Sequence, residues 1–287
     1  MSRLVNYFYG RMVGSVIPVS WVAPRPLRAD ELSVATGRLK FEIVSHCWNY
    51  SHMLIYQLSS LVNHLPESMD VTYTLYYSPE DSGTVALVEH FNQLDLPHLT
   101  WNWQPLPKER LFRRAIGRNE AATATSADWV WFSDCDTIFH KNCLSSVEVA
   151  VHGQREPLLF PCRERITMML PLSHDLFSRG DTTIELLDID TELFEHNDIT
   201  KAKGAFQIVH GDVCRKLGYC RTLKPYQRPT EHWRKTFEDT VFRKLIGSQG
   251  KPIDVDGLYR IRHIEKGRYA ESSALSSVRK QIRKASD

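Results

Sequence analysis

Between residues 41 and 133 the chain alternates segments of two kinds, and this alternation restricts the possible folds more than any other feature. One kind is a short apolar run rich in β-branched and aromatic residues, as in buried strands, and the other has apolar residues at helical spacing. Such alternation predicts an α/β fold with a mostly parallel, doubly wound sheet flanked by helices. The predicted strands cover residues 41–46, 71–77, 99–103, 129–133 and 158–161, and the predicted helices cover residues 52–65, 84–94 and 111–126.

The fourth predicted strand ends in two carboxylates, Asp134 and Asp136. Side chains two residues apart point to the same side of an extended chain. Ligands of parallel sheets bind outside the carboxyl ends of the strands, so these acids are placed at the mouth of the sheet. Such carboxylates suit Mg²⁺ or Mn²⁺ completed by the oxygens of a diphosphate. The alternative is an ordinary acidic turn, because aspartate favours turns.

A second acidic pair, Glu238 and Asp239, begins a helix-like stretch near the end of the chain. Acids are favoured at a helix N-terminus by the helix dipole, so a purely structural role is one interpretation. A carboxylate aimed at a hydroxyl can also act as a general base. The pattern alone leaves both roles open.

The order of these motifs resembles the GT-A glycosyltransferases, especially family 2 and related inverting, metal-dependent enzymes. The similarity is specific from Gly117 to Phe139, where Arg118-Asn119-Glu120-Ala121 precedes an Ala-Asp-Trp-Val segment and the Asp-Cys-Asp motif, and it is looser from about Phe41 to His263. The resemblance implies Asp239 as general base, Glu238 as the residue that orients the acceptor, Asp134, Asp136 and His263 as ligands of Mn²⁺ or Mg²⁺, and Arg118 and Asp134 as donor-binding residues. Ser45, His46 and Asp81 are expected to bind the donor because they lie at the ends of early strands, where ligands of parallel sheets bind.

The same resemblance implies transfer of a sugar from a nucleotide-sugar donor to a hydroxyl on a saccharide, lipid-linked or other glycoconjugate acceptor, with inversion at the anomeric carbon. Residues 43–49 depart from the family's usual Pro-Thr-Tyr-Asn type of sequence, so the choice among UDP, GDP and dTDP stays open, with UDP expected. Two alternatives remain. One is a nucleotidyltransferase acting on sugar phosphates, and the other is a non-catalytic protein that binds nucleotide sugars or saccharides.

Composition and missing motifs argue against nucleic-acid-binding, dinucleotide-binding, P-loop and disulfide-rich proteins. The 287 residues are 42% hydrophobic and 24% charged, as in ordinary globular proteins. A net charge of +2 gives no reason to expect a nucleic-acid partner. Neither a G-x-G-x-x-G nor a Walker A motif is present. The six cysteines include no Cys-x-x-Cys pair, which favours reduced thiols and a cytoplasmic location.

The predicted organisation is an N-terminal extension (1–38), a GT-A domain (39–270) and a basic C-terminal tail (271–287). Within the domain, residues 39–137 are expected to bind the nucleotide sugar and residues 138–270 the acceptor. The extension is expected to pack on the domain or to lie at an interface. The basic tail alternates apolar and basic residues at helical spacing. It favours a solvated helix end, with peripheral association at the inner face of the membrane through the termini as the alternative.

Overall fold

The computed structural model describes residues 12, 17–171, 173–178, 184–233 and 236–262. Its elements follow the predicted alternation in the first half of the chain and continue with shorter strands in the second. The strands are β1 (Leu39–Cys47), β2 (Met69–Tyr77), β3 (Leu99–Pro105), β4 (Trp129–Phe132), β5 (Thr137–Phe139), β6 (Leu158–Pro161), β7 (Arg163–Thr167), β8 (Phe194–Asp198), β9 (Gln207–His210), β10 (Lys251–Ile253) and β11 (Leu258–Arg260). The helices are α1 (Ser51–His64), α2 (Ser82–Phe91), α3 (Lys108–Leu111), α4 (Arg114–Ala124), α5 (Cys143–Val151), α6 (Asp175–Ser178), α7 (Gly211–Leu217) and α8 (Glu238–Leu245).

Seven strands form the central sheet in the order β10-β6-β9-β4-β1-β2-β3. Strands β4, β1, β2 and β3 are parallel neighbours, and β10 pairs parallel with β6. Strand β9 runs antiparallel to both β4 and β6. The predicted α/β fold with a mostly parallel sheet is therefore confirmed.

Helices cover both faces of this sheet. On one face, Gln57 of α1 accepts hydrogen bonds from Ser45 of β1 and Tyr73 of β2. On the opposite face, Gly117 of α4 lies against His46 of β1. All four residues of β4 are buried, which explains why this strand appears in the sequence as a continuous apolar run rather than as an alternating one.

A second sheet of four strands has the order β5-β11-β7-β8. Strand β5 begins directly after Asp136, and β11 pairs with β5 and β7. These strands are only three to five residues long, so their hydrophobic periodicity is too short to have predicted them. The small sheet therefore adjoins the acids that follow β4.

One helix prediction is wrong. The apolar spacing over residues 111–126 predicts a single helix, whereas the structure has α3 and α4 with a break between them. Arg113 has φ −106° and ψ 79°, which are not helical values. The chain therefore turns before Arg114, and α4 starts in a new direction at that residue.

The described part of the N-terminal extension packs on the domain. Leu32 is buried in the core, and Arg155 donates to its carbonyl at 2.9 Å. The Ser33 backbone N–H and hydroxyl both donate to Asp212 of α7, at 2.8 and 2.7 Å. No helix among the described residues is both long and apolar enough to cross a membrane. The basic tail over residues 271–287 lies outside the described residues.

Replacement of Gly117 by alanine should destabilise the fold. An added Cβ would lie 2.4 Å from Nε2 of His46 and 2.8 Å from Cγ of Tyr76, two rings that stack on each other. Overpacking of this kind costs ~1–3 kcal/mol, against a gain of ~1 kcal/mol from better helix propensity. Urea unfolding should show a lower free energy of unfolding for Gly117→Ala than for Gly204→Ala, where a Cβ meets no atom within 4 Å. Equal values for the two variants would contradict this packing.

Candidate active site

Asp134 and Asp136 lie at the carboxyl end of β4, where they help to line a pocket at the edge of the sheet. Asp134 is partly accessible, and Asp136 is 2% exposed. The pocket combines these acids with a histidine, an arginine and an aromatic wall: His46, Trp48, Tyr50, Phe112, Arg114 and Trp233. The sequence prediction that both acids lie at the mouth of the sheet agrees with this placement.

A buried amide holds the loop that carries the two acids. Gln57 of α1 is fully buried, and its Nε2 donates to the backbone carbonyls of Asp134 (3.0 Å) and Thr137 (2.8 Å). Its Oε1 accepts from the Ser45 hydroxyl (2.9 Å) and the Tyr73 hydroxyl (2.6 Å). Buried networks in which every member is satisfied rigidify their surroundings. Gln57 therefore fixes the loop on β1, β2 and α1.

Arg114 connects the two acidic motifs. Its Nη1 donates to Asp134 Oδ1, and its Nη2 lies 3.3 Å from Glu238 Oε1. Its guanidinium carbon lies 5.1 Å from the centre of the Trp233 ring. Burial works against the charge, but Asp134 and Glu238 outweigh it and raise the pKa of Arg114 above its ordinary value. A permanent positive charge therefore stands between the two acidic motifs.

Arg118, predicted to contact the donor, is fully buried. Its guanidinium donates to the Tyr219 hydroxyl and to the Gly204 carbonyl, both at 2.9 Å, and lies 3.7 Å from Asp134 Oδ1. Arg118 has no exposed surface in this arrangement and its guanidinium meets protein groups, so its direct contact with a donor stays a prediction. Arg118 supports Asp134 and the Gly204 turn from below.

Glu238 and Asp239 begin α8, as predicted, but their environments differ. Glu238 is 4% exposed, and its Oε2 accepts from the Thr236 hydroxyl. Burial raises the pKa of Glu238, but the charges of Arg114 and Arg118 outweigh it and leave the pKa below its ordinary value. Asp239 is half-buried, and its Oδ2 accepts from the Gly204 backbone N–H at 3.1 Å. Glu238 is therefore held as an anion, whereas Asp239 is the more accessible carboxylate.

His46 lines the pocket beside Asp134. Its ring stacks on Tyr76 with centroids 5.0 Å apart, and neither ring nitrogen has a hydrogen-bond partner among the described residues. Burial, reinforced by the charges of Arg118 and Arg114, lowers the pKa of His46 well below its ordinary value. The imidazole is therefore neutral near pH 7, and donor binding by His46 stays a prediction.

Two predicted donor-binding residues are used inside the protein. Ser45 is fully buried, and its hydroxyl donates to Gln57. Asp81 caps α2: its Oδ1 accepts from the Thr84 N–H at 3.2 Å, and its Oδ2 accepts from the Thr84 hydroxyl and the Asn49 N–H, both at 2.6 Å. In this arrangement the Ser45 hydroxyl and the Asp81 carboxylate are buried and support neighbouring groups, and their direct contacts with a donor stay predictions.

The donor atoms near β4 fit a hard divalent cation only in part. Asp134 and Asp136 supply carboxylate oxygens, which Mg²⁺ and Mn²⁺ prefer. Within the part of the chain that the structure describes, no third His, Cys, Asp or Glu joins them in a three-residue metal cluster. Diphosphate oxygens would have to complete the coordination, or a residue beyond Arg262. The predicted ligand His263 lies outside the described residues.

Three residues of this site were not assigned a role from the sequence. Gln57 could have been found from the sequence, because a glutamine inside the apolar stripe of α1 indicates a buried polar residue with a specific role. Arg114 and Arg118 are four apart on α4 and so share one helix face. Only the tertiary structure distinguishes Arg114, which reaches the pocket, from Arg118. Trp233 lies far from β4 in the sequence, and no local sequence pattern could have predicted its contact with Arg114.

No protein-family model matches this chain, and no curated protein matches its sequence. Among solved structures it is similar to S. aureus TarS 1–349, with 15% identity over 78% of this chain and 58% of that chain and a TM-score of 0.42. The same protein in complex with UDP-GlcNAc gives 14% identity over 84% of this chain and 66% of that chain, with a TM-score of 0.45. The mannosyltransferase PcManGT from Pyrobaculum calidifontis, in complex with GDP-Man and Mn²⁺, gives 14% identity over 98% of this chain and 68% of that chain, with a TM-score of 0.44.

The chain thus spans less than two thirds of the length of the TarS chains. Identities of 14–15% with TM-scores below 0.5 establish neither a family nor an activity. The site residues themselves must therefore indicate what this chain does.

Proposed function

We propose that this chain is a glycosyltransferase that transfers a sugar from a nucleotide-sugar donor to a hydroxyl acceptor, with inversion at the anomeric carbon. The donor that we expect is a UDP-sugar. One observation carries the proposal. The Asp134–Asp136 motif and the Glu238–Asp239 pair approach each other at the carboxyl end of a mostly parallel sheet, and Arg114 joins them. A transferase of this kind needs one group of residues for a diphosphate and another for an acceptor hydroxyl.

The pocket supports binding of the donor half. Trp48, Phe112 and Trp233 give it an aromatic wall, which suits the flat face of a nucleobase or the apolar face of a sugar ring. Asp134 and Asp136 would hold Mn²⁺ or Mg²⁺ together with the diphosphate. When bound, that cation would neutralise charge that develops on the leaving diphosphate. Because His46 is neutral, it adds no positive charge that would repel this cation.

Arg114 is suited to act on the same diphosphate. Its guanidinium lies in the pocket between Asp134 and Glu238 and has a planar array of donors that matches phosphate oxygens. We assign it the role of holding the diphosphate. Arg118 and Gln57 keep Arg114's neighbour Asp134 in position from the buried side.

Asp239 is the residue that we assign as general base for the acceptor hydroxyl. A sugar hydroxyl is a weak nucleophile, and a carboxylate that accepts its proton during attack lowers the barrier. Among the described residues only the Gly204 N–H binds the Asp239 carboxylate, through Oδ2, so Oδ1 is left for the acceptor. Glu238 is engaged by Arg114 and Thr236, which suits it to orientation rather than to proton transfer.

The direct test is turnover of nucleotide sugars by the full chain, with Mn²⁺ and with EDTA. Incubation with UDP-, GDP- and dTDP-sugars should release the nucleoside diphosphate together with free sugar or a glycosylated acceptor, and only in the presence of the metal. Release of pyrophosphate from a nucleoside triphosphate and a sugar phosphate would instead identify a nucleotidyltransferase. Binding without any turnover would identify a non-catalytic binding protein. Either result would overturn the proposal.

Binding of the nucleoside diphosphate should depend on Asp136 and on divalent metal. Asparagine is nearly isosteric with aspartate but removes the anionic oxygen that a hard cation prefers. Calorimetry with UDP and Mn²⁺ should show at least about tenfold weaker binding for Asp136→Asn, and EDTA should weaken wild-type binding similarly. The exposed Asp95, changed to asparagine, is the matched control and should bind like wild type. Equal UDP affinity in all of these conditions would remove the metal-site assignment.

A further inference from the structure

A second group of metal-binding side chains lies away from the pocket. His64 is the last residue of α1, His140 follows β5, and Asp188 belongs to the segment over residues 184–190. Helix α1 begins at Ser51 beside the carboxyl end of β1, and its 14 residues span roughly 20 Å. The His64–His140–Asp188 cluster therefore lies at the opposite end of α1 from the proposed active site.

The spacing of the three side chains is that of metal ligands. One ligand atom from each lies within 4.8 Å of the other two. Asp188 Oδ1 is 3.3 Å from Nε2 of His140 and 3.7 Å from Nε2 of His64. Two ligands of a tetrahedral Zn²⁺, each ~2.0–2.1 Å from the ion, are ~3.3 Å apart. The His140–Asp188 distance equals this edge length, the His64–Asp188 distance is 0.4 Å longer, and all three ligand atoms are close enough for small side-chain shifts to bring them around one ion.

Simple ion pairing accounts poorly for this arrangement. The His–Asp pairs His98–Asp70 and His196–Asp198 in the same chain are hydrogen-bonded at 3.0 and 2.7 Å. In the cluster both contacts to Asp188 are longer, and the two imidazoles meet edge to face with centroids 4.3 Å apart. The buried Nε2 of His64 has no hydrogen-bond partner among the described residues. A central ion would satisfy this nitrogen and would explain why one carboxylate faces two imidazoles.

We propose that His64, His140 and Asp188 bind one Zn²⁺ ion, with water in the fourth position. Two imidazole nitrogens and one carboxylate oxygen form a donor set that zinc accepts and that Mg²⁺ does not favour. This site is independent of the proposed sugar transfer and does not share its ligands.

The site would act as a structural clamp on the segment over residues 184–190. That segment is already tied to α1 by two hydrogen bonds, because the Leu187 N–H donates to the Ser59 hydroxyl at 3.0 Å and Asn63 donates to the Leu187 carbonyl at 3.3 Å. Asp188 comes next in the chain and is half-exposed. An ion held by His64 and His140 would fix this carboxylate, and with it the segment, on the end of α1.

The test uses the metal-free full chain, titrated with Zn²⁺ by calorimetry and with Co²⁺ by visible absorption. Wild type should bind one Zn²⁺ tightly, and bound Co²⁺ should show the intense absorption of a four-coordinate ion. His64→Gln, His140→Gln and Asp188→Ala should each weaken Zn²⁺ binding by at least about tenfold, the loss that follows even when only a residue supporting a ligand is removed. Asp188 is half-exposed, so its variant keeps the test valid should a histidine variant fail to fold.

Two controls separate this site from other sources of metal binding. Asp136→Asn removes a ligand proposed for the active site, and His98→Gln removes a histidine that pairs with a carboxylate but belongs to no three-residue metal cluster among the described residues. Both should retain the tight Zn²⁺ site. Zn²⁺ should also slow amide exchange over residues 184–190 in wild type and not in Asp188→Ala. The proposal is overturned by Zn²⁺ affinities that are equal in the three cluster variants and in His98→Gln, or by loss of the tight site in Asp136→Asn.

Discussion

Replacement of Asp239 by asparagine should reduce sugar transfer by ~10²–10⁴-fold, the usual contribution of a general base. Asparagine can keep the hydrogen bond from the Gly204 N–H but cannot take a proton from the acceptor. Donor affinity should change little, because Asp239 belongs to the proposed acceptor side. Initial rates of product formation and calorimetric titration with the donor measure the two effects separately.

Glu238→Gln is the control for this experiment. Glu238 is buried against Arg114 and Thr236, so its loss should disturb orientation and cause the smaller fall in rate. A larger fall in rate for Glu238→Gln than for Asp239→Asn would indicate that Glu238, and not Asp239, is the general base. Full activity in both variants, or retention of the donor's anomeric configuration by NMR, would contradict a mechanism of inversion with Asp239 as base.

Replacement of Arg118 by methionine should lower the free energy of unfolding by about 2–4 kcal/mol. The substitution keeps apolar bulk but leaves the Gly204 carbonyl without its hydrogen bond and removes a donor from the Tyr219 hydroxyl. Unsatisfied buried groups cost ~1–3 kcal/mol each. It also removes a positive charge that helps to hold Glu238 ionised.

Urea unfolding of Arg118→Met and Arg165→Met measures this effect. Arg165 is exposed on β7, and its substitution should change stability by less than ~0.5 kcal/mol. Similar losses in the two variants would show that the buried guanidinium contributes no special stability.

The sequence predicted those parts of the fold that local patterns determine. Strands β1 and β2 and helix α1 lie within two residues of their predicted bounds, since apolar periodicity fixes each of them locally. The break at Arg113 escaped prediction because apolar spacing continues across it. The small sheet escaped prediction because strands of three to five residues carry too little periodicity.

For the site, the sequence located the acids but not the direction in which other polar side chains point. Asp134, Asp136, Glu238 and Asp239 follow or begin elements whose positions were predicted. Their burial and partners depend on contacts between residues far apart in the chain, such as Arg114 with Glu238. A polar residue near a strand end can face a ligand or the interior, and Ser45, Asp81 and Arg118 face the interior.

The antiparallel strand β9 has a consequence for how the polypeptide is made. It fills the gap between β4 and β6, so one backbone edge of β4 is unpaired until residues 207–210 are available. During synthesis the ribosome therefore releases this entirely apolar strand long before β9, the strand that pairs with its second edge. Exposed, hydrophobic strand edges promote aggregation. A fragment that ends before Gln207 carries this exposed edge permanently, so we expect residues 39–137 on their own to aggregate.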